Sequence, residues 1–357
     1  MEFRLFEDLV HEEFAKRKTI KPENLCTYGI AALDKSLKYI LPDDLIVIGA
    51  DSGVGKSDLG ISIAIHNAQK GKKVAIFYLE GGHNEAIQRI LWKLMCLEYF
   101  NNKDKYEYID MNFIEWLSNE NKSEALLNLE LKIRDKFIAE IKDKLFLYDV
   151  SMTIGDNGKL SYQDIYLKLS AFFSGYNERG VMFDLDLLII DHLHYFDFSD
   201  NTRINEAEKL SKIMRQCKEI TDLYKLPVIV MSHLRKKTKD RGTLPDQEDF
   251  HGSSNIPKIS TCCITLTPDY NKQDNDLLIY PTYFRIVKSR YGIKANYALL
   301  IDYFLTQRKY SEFFKLYKVD NMGNIGKELE INQLPKWARE SKTYKPKPKP
   351  EPVMWED

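Results

Sequence analysis

Cysteine is scarce in this sequence. The 357 residues include 5 cysteines, and none of them stands in a Cys-x-x-Cys pair or in a pattern with histidines. Cysteine-based zinc sites need such spacings, and disulfide frameworks are typical of short secreted chains that are much richer in cysteine. We therefore expect buried or incidental free thiols in a reducing compartment.

Long apolar runs and an excess of one charge are also lacking. No segment approaches the ~18 consecutive apolar residues that span a bilayer, and the N-terminus Met1-Glu2-Phe3-Arg4 lacks the blocks of a signal peptide. We expect a cytoplasmic protein with no membrane partner. The formal net charge is −1, so any contact with nucleic acid must come from a local basic cluster.

A turn of small residues links an apolar run to a helical pattern. The run Leu45–Ile48 predicts a buried strand, and Gly55-Lys56-Ser57 begins the predicted helix. Backbone N–H groups of such a turn, together with a helix N-terminus, bind polyphosphate. We expect Lys56 to contact the β- and γ-phosphates of ATP and Ser57 to bind Mg²⁺. The predicted nucleotide-contacting residues are Ala50, Asp51, Ser52, Gly53, Val54, Gly55, Lys56, Ser57 and Asp58.

Further apolar runs alternate with helical periodicity along the chain. Strands are predicted at Val74–Leu79, Leu145–Val150, Leu185–Ile190, Pro227–His233, Thr261–Thr267 and Tyr283–Ser289, with aromatic-rich strands or a hairpin over 298–319. This alternation predicts an α/β fold with a mostly parallel central sheet, covered by helices on both faces.

Three polar residues fall at the carboxyl ends of predicted strands, where such sheets bind ligands. Asp191 follows four apolar residues, as an acid that holds Mg²⁺ or its water does. Glu80 is placed to polarise the attacking water, and His233 to sense the γ-phosphate. Each also has a simpler structural explanation: Asp191 could cap the next turn, Glu80 a helix, and His233 could be a hydrogen-bonded strand-end residue.

The composition divides the chain into three regions. Residues 1–24 predict an N-terminal linker helix whose apolar stripe is buried by the chain's own core or by a neighbouring subunit. Residues 25–335 form the predicted core, with 98–144 as a charged helical elaboration. Residues 336–357 form a Lys/Pro-rich linker and an acidic-aromatic tail.

Together these residues resemble the RecA-like P-loop NTPase core of hexameric replicative DNA helicases, of the DnaB-like and phage primase–helicase type. The resemblance runs from about Thr27 to about Asp302. Its landmarks, in order, are Tyr28-Gly29-Ile30, Leu33-Asp34, Ala50 to Ser57, Phe77-Tyr78-Leu79-Glu80, Leu188-Ile189-Ile190-Asp191-His192-Leu193, Met231-Ser232-His233-Leu234-Arg235, Asp249-Phe250-His251-Gly252-Ser253-Ser254 and Lys288-Ser289-Arg290-Tyr291-Gly292.

The resemblance implies a role for each landmark. Glu80 is the implied catalytic base and His233 the polar sensor, while Lys288 and Arg290 act in the ATP site of the next subunit of a homo-oligomer, a hexamer. The residues implied to line a pore that grips single-stranded DNA are Arg235, Lys236, Lys237, Lys239, Arg241, Gly252, Ser253 and Ser254. The tail resembles the acidic-aromatic tails of phage-type helicases that hold a polymerase, so a polymerase, primase or loader is an expected partner there, or the tail is only a solubilising end.

Some features differ from that family's pattern. Gly81-Gly82 follows Glu80 where a larger side chain is usual, and only the helix over 3–18 precedes the core. We therefore expect an ATPase without an amino-terminal primase or primase-binding domain. RecA-like ATPases also act as nucleotide-gated scaffolds or switches, in recombination mediators, clock-type hexamers and defence complexes. The basic loop Arg235–Arg241 separates the two hypotheses, because a helicase needs it at the pore, unless it is only a solvated charged loop.

Overall fold

One ten-stranded sheet organises the computed structural model, which describes residues 5–148, 185–195, 205–235, 242–252, 254–291 and 296–339. The strands are β1 Leu45–Ala50, β2 Val74–Tyr78, β3 Leu145–Leu147, β4 Leu187–Asp191, β5 Val228–His233, β6 Cys262–Pro268, β7 Ile279–Ser289, β8 Tyr297–Phe304, β9 Lys309–Val319 and β10 Ile325–Glu328. Their order across the sheet is β10-β9-β8-β7-β6-β1-β5-β4-β2-β3.

The sheet has a parallel and an antiparallel half. Strands β6, β1, β5, β4, β2 and β3 are all parallel to one another. Strands β7 to β10 continue the sheet from β6 as an antiparallel meander. The predicted α/β sheet is confirmed, and the aromatic-rich region over 298–319 is the hairpin of β8 and β9. The predicted strand Leu145–Val150 is observed as Leu145–Leu147, and residues 149 and 150 lie outside the described part of the chain.

Helices cover both faces of the sheet. They are α1 Phe6–Thr19, α2 Ala31–Leu37, α3 Lys56–Gln69, α4 Gly82–Asn101, α5 Phe113–Leu117, α6 Glu124–Ile141, α7 Glu206–Tyr224, α8 Asn255–Ile259 and α9 Lys336–Arg339. In β1, Ile46 and Ile48 pack with α3 and α4 on one face, while Leu45 and Val47 pack with α7 on the other. Because both faces are covered, the strand is apolar at successive positions rather than at alternate ones.

Helix α7 shows how sequence pattern becomes packing. The Asn205 side chain accepts a hydrogen bond from the Glu208 amide and caps the first turn. Leu210, Ile213 and Met214 follow at helical spacing and are buried against the sheet. Burying a side chain of this kind fully stabilises the fold by about 1.5–3 kcal/mol. The helix is therefore held along its length by one apolar stripe.

Helix α1 does not pack in this way. None of its residues is buried, and Leu5, Phe6 and Phe14 are 72%, 80% and 60% exposed. The expectation that the chain's own core buries this stripe is wrong for the described residues, because no element of them covers it. Burial against a neighbouring subunit stays a prediction. No helix among the described residues is long and apolar enough to cross a membrane.

The charged region over 98–144 packs onto the same core. Leu126, Leu129 and Ile133 of α6 belong to the apolar cluster that contains Trp92 of α4. At its edge the Glu98 carboxylate accepts hydrogen bonds from Lys136 Nζ at 2.8 Å and from the Tyr106 hydroxyl at 2.8 Å. Apolar contacts and a charged pair thus fix α6 to α4. The predicted region boundaries at 24/25 and 335/336 stay predictions.

Candidate nucleotide-binding site

The loop between β1 and α3 adopts a backbone that requires glycine. Gly53 and Gly55 both have φ of +81°, a region that residues with a Cβ rarely adopt. A Cβ on Gly55 would also lie 2.9 Å from Tyr303 Cζ and 2.9 Å from the Tyr310 hydroxyl. That hydroxyl donates to the Val54 carbonyl at 2.8 Å. The loop is therefore held in shape from the antiparallel half of the sheet.

Lys56 lies directly behind this loop and is buried. Its Nζ is 3.3 Å from Nδ1 of His233, the last residue of β5. Burial lowers the pKa of Lys56, and the carboxylates of Asp191 and Glu80 oppose this shift. The predicted sensor and the predicted phosphate ligand are thus in contact.

Asp191, the last residue of β4, is a buried carboxylate beside the same loop. Burial raises its pKa to about 6, and the neighbouring Ser57 hydroxyl and Lys56 ammonium act in the opposite direction. Neither carboxylate oxygen has a hydrogen-bond partner among the described residues. A buried polar group without a partner is costly, and carboxylate and hydroxyl oxygens are the ligands that Mg²⁺ prefers. Asp191 and Ser57 therefore fit a magnesium ion.

Glu80 lies two residues beyond β2, with its side chain 36% exposed. Its Oε2 is 3.6 Å from Nε2 of the buried His192. Burial, reinforced by the nearby Lys56 ammonium, lowers the pKa of His192 to about 2. The imidazole beside the Glu80 side chain is therefore neutral.

Lys56, Glu80 and His233 line a cleft of about 250 Å³, and Asp191 lies beside Lys56 but is not among its lining residues. Its lining residues are Asp51, Ser52, Gly53, Gly55, Lys56, Ser57, Asp58, Tyr78, Glu80, Gly81, Glu85, Arg89, His233, Tyr303, Leu305 and Arg308. Most of the predicted nucleotide contacts, together with Glu80 and His233, thus meet in one place. Ala50 ends β1 and Val54 is buried within the loop.

A second group of lining residues surrounds the predicted Asp58, and its other members, Arg89, Tyr303 and Arg308, were not predicted. Asp58 is 2% exposed, and its carboxylate accepts from Arg89 Nη1 at 2.9 Å and from the Tyr303 hydroxyl. Arg308 Nη1 lies 3.5 Å from the same carboxylate. Asp58 is therefore engaged by protein donors in this structure. Arg89 also pairs with Glu85 at 2.7 Å, and their spacing of four residues on α4 is the one local sequence signal for this group.

Lys288 and Arg290 lie at the end of the sheet that is opposite to the phosphate loop. Thr261, beside Leu45 at the start of β1, accepts a hydrogen bond from the Arg290 amide at 3.1 Å. The six residues of β1 separate this edge from the phosphate loop, a distance of about 17 Å at the usual rise per residue. Lys288 Nζ donates to the carbonyls of Ser260 at 2.7 Å and of Pro257. Neither residue joins the cleft of its own chain.

The residues predicted to bind nucleic acid are only partly described. A second cleft, of about 560 Å³, is lined by Ala207, Glu208, Ser211, Lys212, Arg215, Arg235, Gly252, Ser254 and Asn255. Arg235, Gly252 and Ser254 were predicted, whereas Lys212 and Arg215 of α7 were not. Lys236, Lys237, Lys239, Arg241 and Ser253 lie outside the described residues.

The fold and the nucleotide cleft around Lys56 define the class of the protein: a P-loop nucleotide-binding protein built on an α/β sheet. Residues 26–310 match the model of the family described as "DnaB-like helicase C terminal domain", so the chain belongs to that family. The resemblance predicted from the sequence is confirmed.

Comparison with individual proteins agrees with this assignment. The chain is 25% identical over 289 residues to a "Probable replicative DNA helicase" of Trieres chinensis, covering 78% of this chain and 57% of that protein. It is 23% identical over 252 residues to the "Replicative DNA helicase DnaB" of Geobacillus stearothermophilus, covering 70% and 48%. The chain thus spans about half the length of these relatives.

Solved structures share the fold. One of them, described as an "ATPase Domain", has a TM-score of 0.66 at 16% identity and covers 87% of this chain and 99% of that one. A "DnaB-Like Replicative Helicase" described with "Its Interactions With Primase" has a TM-score of 0.65 at 15% identity, covering 87% and 67%. The predicted RecA-like P-loop NTPase fold is therefore confirmed.

Proposed function

We propose that this protein is an ATP-dependent ring helicase or translocase that moves on single-stranded DNA. One observation carries the proposal: Lys56, Glu80 and His233 line one cleft, with Asp191 beside Lys56, at the carboxyl ends of the neighbouring parallel strands β1, β2, β4 and β5. Family membership supports it, and the relatives described above are named as replicative DNA helicases.

In this proposal the chain's own residues prepare ATP for hydrolysis. The loop amides and Lys56 neutralise phosphate charge, and Glu80 orients the attacking water and accepts its proton. A γ-phosphate would compete with His233 for the Lys56 ammonium, which lies 3.3 Å from the imidazole. His233 would therefore change partner when ATP replaces ADP, as a sensor must.

Ser57 and Asp191 would hold the Mg²⁺ ion that accompanies ATP. The ion would supply positive charge to the phosphate oxygens. The buried carboxylate of Asp191, which lies beside Ser57 and has no close hydrogen bond among the described residues, supports this assignment.

Arg290 is proposed to act across a subunit boundary. Arg290 lies at the end of the sheet opposite to the phosphate loop, so it cannot reach ATP that is bound to its own chain. Its exposed guanidinium can bridge two phosphate oxygens of a neighbour's ATP. Lys288 is proposed as a second cation there, although its ammonium contacts backbone carbonyls in the single chain. A shared site of this kind implies a homo-oligomer, for which we propose a hexamer.

The second cleft is proposed to hold the DNA strand. Arg235, Lys212 and Arg215 bring positive charge to it, while Gly252 and Ser254 leave room for a backbone. Such a grip is mainly electrostatic and independent of base sequence. A primase, polymerase or loader is proposed to bind the tail over 342–357. The similar helicase structure that is described with its interactions with primase supports a partner of that class.

Electron microscopy of the full chain with a non-hydrolysable ATP analogue and an oligonucleotide tests the proposal. We expect closed rings with one strand through the pore. Rings that hold nucleotide but no strand, together with an ATPase rate that single-stranded DNA does not change, would contradict a helicase. That result would favour a nucleotide-gated scaffold.

A further inference from the structure

Two histidines and one glutamate meet at the rim of the second cleft. The candidate ligand atoms of His194, Glu206 and His251 all lie within 4.8 Å of one another. His251 Nδ1 is 3.6 Å from Glu206 Oε1. None of these three residues has been given a role in nucleotide hydrolysis.

Three separate backbone elements bring these side chains together. His194 lies in the short turn Leu193–Tyr195 after β4, and Glu206 is the first residue of α7. The His251 amide donates to the carbonyl of His233 at 3.0 Å, which fixes this segment beside the end of β5. Gly252, with φ of +85°, packs against Leu210 so closely that a Cβ would collide with that side chain. The segment that carries His251 and Gly252 therefore contacts the beginning of α7, next to Glu206.

His194 is partly buried, and its two ring nitrogens are unusual polar atoms. Both of its ring nitrogens are buried and neither has a hydrogen-bond partner among the described residues. Leaving a buried polar group unsatisfied costs roughly 1–3 kcal/mol. A neutral imidazole binds metals through the lone pair of its unprotonated nitrogen.

We propose that His194, Glu206 and His251 form a zinc site, with a water molecule as the fourth ligand. Two imidazoles and one carboxylate suit Zn²⁺, whereas Mg²⁺ prefers oxygen ligands alone. Bond lengths of roughly 2.0–2.2 Å require the ligand atoms to approach by about 1 Å, which rotation of the exposed Glu206 and the half-buried His251 can supply. The bound ion would fasten the loop that carries Gly252 to α7. The site does not depend on the proposed helicase activity.

Cobalt titration of the metal-free full chain tests the proposal. Co²⁺ serves as a visible probe for tetrahedral zinc sites, and Zn²⁺ is then added to displace it. We expect one ion per chain. His251→Gln and Glu206→Gln should each weaken binding by more than about 100-fold, since loss of even a residue behind a ligand costs 10–100-fold. Both side chains are substantially exposed, 45% and 60%, so the substitutions do not disturb the core, and circular dichroism checks this.

Two control variants locate the ion. His11→Gln removes a surface histidine that lies 3.9 Å from Glu7 and belongs to no group of three candidate ligands among the described residues. Glu80→Gln disrupts the other candidate group, Glu80, His192 and His233, in the nucleotide cleft. Both variants should keep the ion. Failure of the wild type to bind, retention of the ion by His251→Gln, loss of it in Glu80→Gln, or a sulfur-to-cobalt band that indicates a cysteine would each overturn the proposal.

Discussion

Glu80 is the residue on which hydrolysis depends in our proposal. Its carboxylate lies in the same cleft as Lys56, and its neighbour His192 is neutral. Glu80→Gln keeps the shape of the side chain but cannot accept a proton. We expect nearly normal ATP binding and a turnover lower by ~10²–10⁴-fold, the usual range for removal of a general base. Equilibrium binding of ATP and steady-state phosphate release measure the two quantities.

Glu85→Gln provides the matched control for this variant. Glu85 lines the same cleft, but its carboxylate is engaged by Arg89 and by the Tyr78 hydroxyl at 3.2 Å. We expect a much smaller loss of turnover. Near-normal hydrolysis by Glu80→Gln would remove the assignment of Glu80 as the base.

Replacing Lys56 should weaken the binding of ATP and not only slow its hydrolysis. Its ammonium is the buried cation closest to the place where the phosphates are expected. Lys56→Ala removes a hydrogen bond to a charged group, worth about 1.5–3 kcal/mol. We therefore expect ATP affinity to fall by roughly 10–100-fold, measured by calorimetry. Lys70→Ala, at the end of α3, is the control and should bind ATP normally. Unchanged affinity in Lys56→Ala would place the phosphates elsewhere.

For single residues, the sequence predicts a position in the sheet where the neighbouring residues form a recognisable pattern. Glu80, Asp191 and His233 each follow an apolar run, so their positions at one edge of a parallel sheet could be inferred. Tyr303 and Arg308 come from a hairpin more than two hundred residues from the phosphate loop, and nothing near them in sequence indicates the cleft. The meeting of His194 with His251 likewise depends on how two loops pack.

The hairpin of β8 and β9 is the element that closes the nucleotide cleft. Its turn is held by Trp92 Nε1, which donates to the Thr306 carbonyl at 2.7 Å, and by Lys93 Nζ, which donates to the Arg308 carbonyl at 2.7 Å. Lys93 is buried, and burial lowers its pKa to about 8. The aromatic strands over 298–319 could be predicted, but their position beside the phosphate loop could not. That position depends on the pairing of β6 with β1, such as Cys263 with Val47, which is a contact between residues far apart in the sequence.

The basic loop after β5 is the element that decides between a helicase and a scaffold. Arg235 at its start lines the second cleft. Replacing both Lys236 and Lys237 by Ala should lower single-strand affinity. It should also reduce the slope of log affinity against log salt by roughly 0.7 for each phosphate that the variant no longer neutralises. Fluorescence anisotropy with a labelled oligonucleotide over a range of salt concentrations measures both.

A variant with the same change of charge controls for general electrostatics. Lys103 and Lys105 are two exposed lysines of the region over 98–144, and their replacement by Ala should leave the slope unchanged. If the slope of the Lys236/Lys237 variant equals that of the wild type, the loop does not contact DNA.

At the scale of the whole molecule, two features support the proposed assembly. Helix α1 exposes an apolar stripe that no described part of the chain covers. Arg290 lies at the edge of the sheet away from the phosphate loop of its own chain. The sequence indicated both features as possible contacts between subunits, but one chain cannot reveal its neighbour. A shared active site gives the Arg290 hypothesis a direct test.

Arg290→Ala should bind ATP normally and hydrolyse it more slowly, by as much as ~10³-fold for an arginine that acts in trans. Mixing separates this hypothesis from an effect within one chain. In mixed assemblies of Arg290→Ala and Glu80→Gln subunits, some interfaces pair an intact Glu80 with an intact Arg290. We therefore expect the mixture to recover part of the ATPase activity that each variant lacks alone. Arg134→Ala, which removes an exposed arginine paired with Asp135 at 3.1 Å, should hydrolyse ATP normally.

The mixing experiment is decisive only if mixed assemblies form, so subunits that carry different affinity tags are co-purified and measured together. Recovery requires that residues of two chains complete one site, because neither variant contains a whole site of its own. If Arg290→Ala alone hydrolyses ATP at the wild-type rate, Arg290 has no part in catalysis; if both variants are impaired and co-purified assemblies recover no activity, the site is not shared between chains. Hydrolysis would then be complete within one chain, and the ring would lose the contact that couples ATP in one subunit to movement of the next.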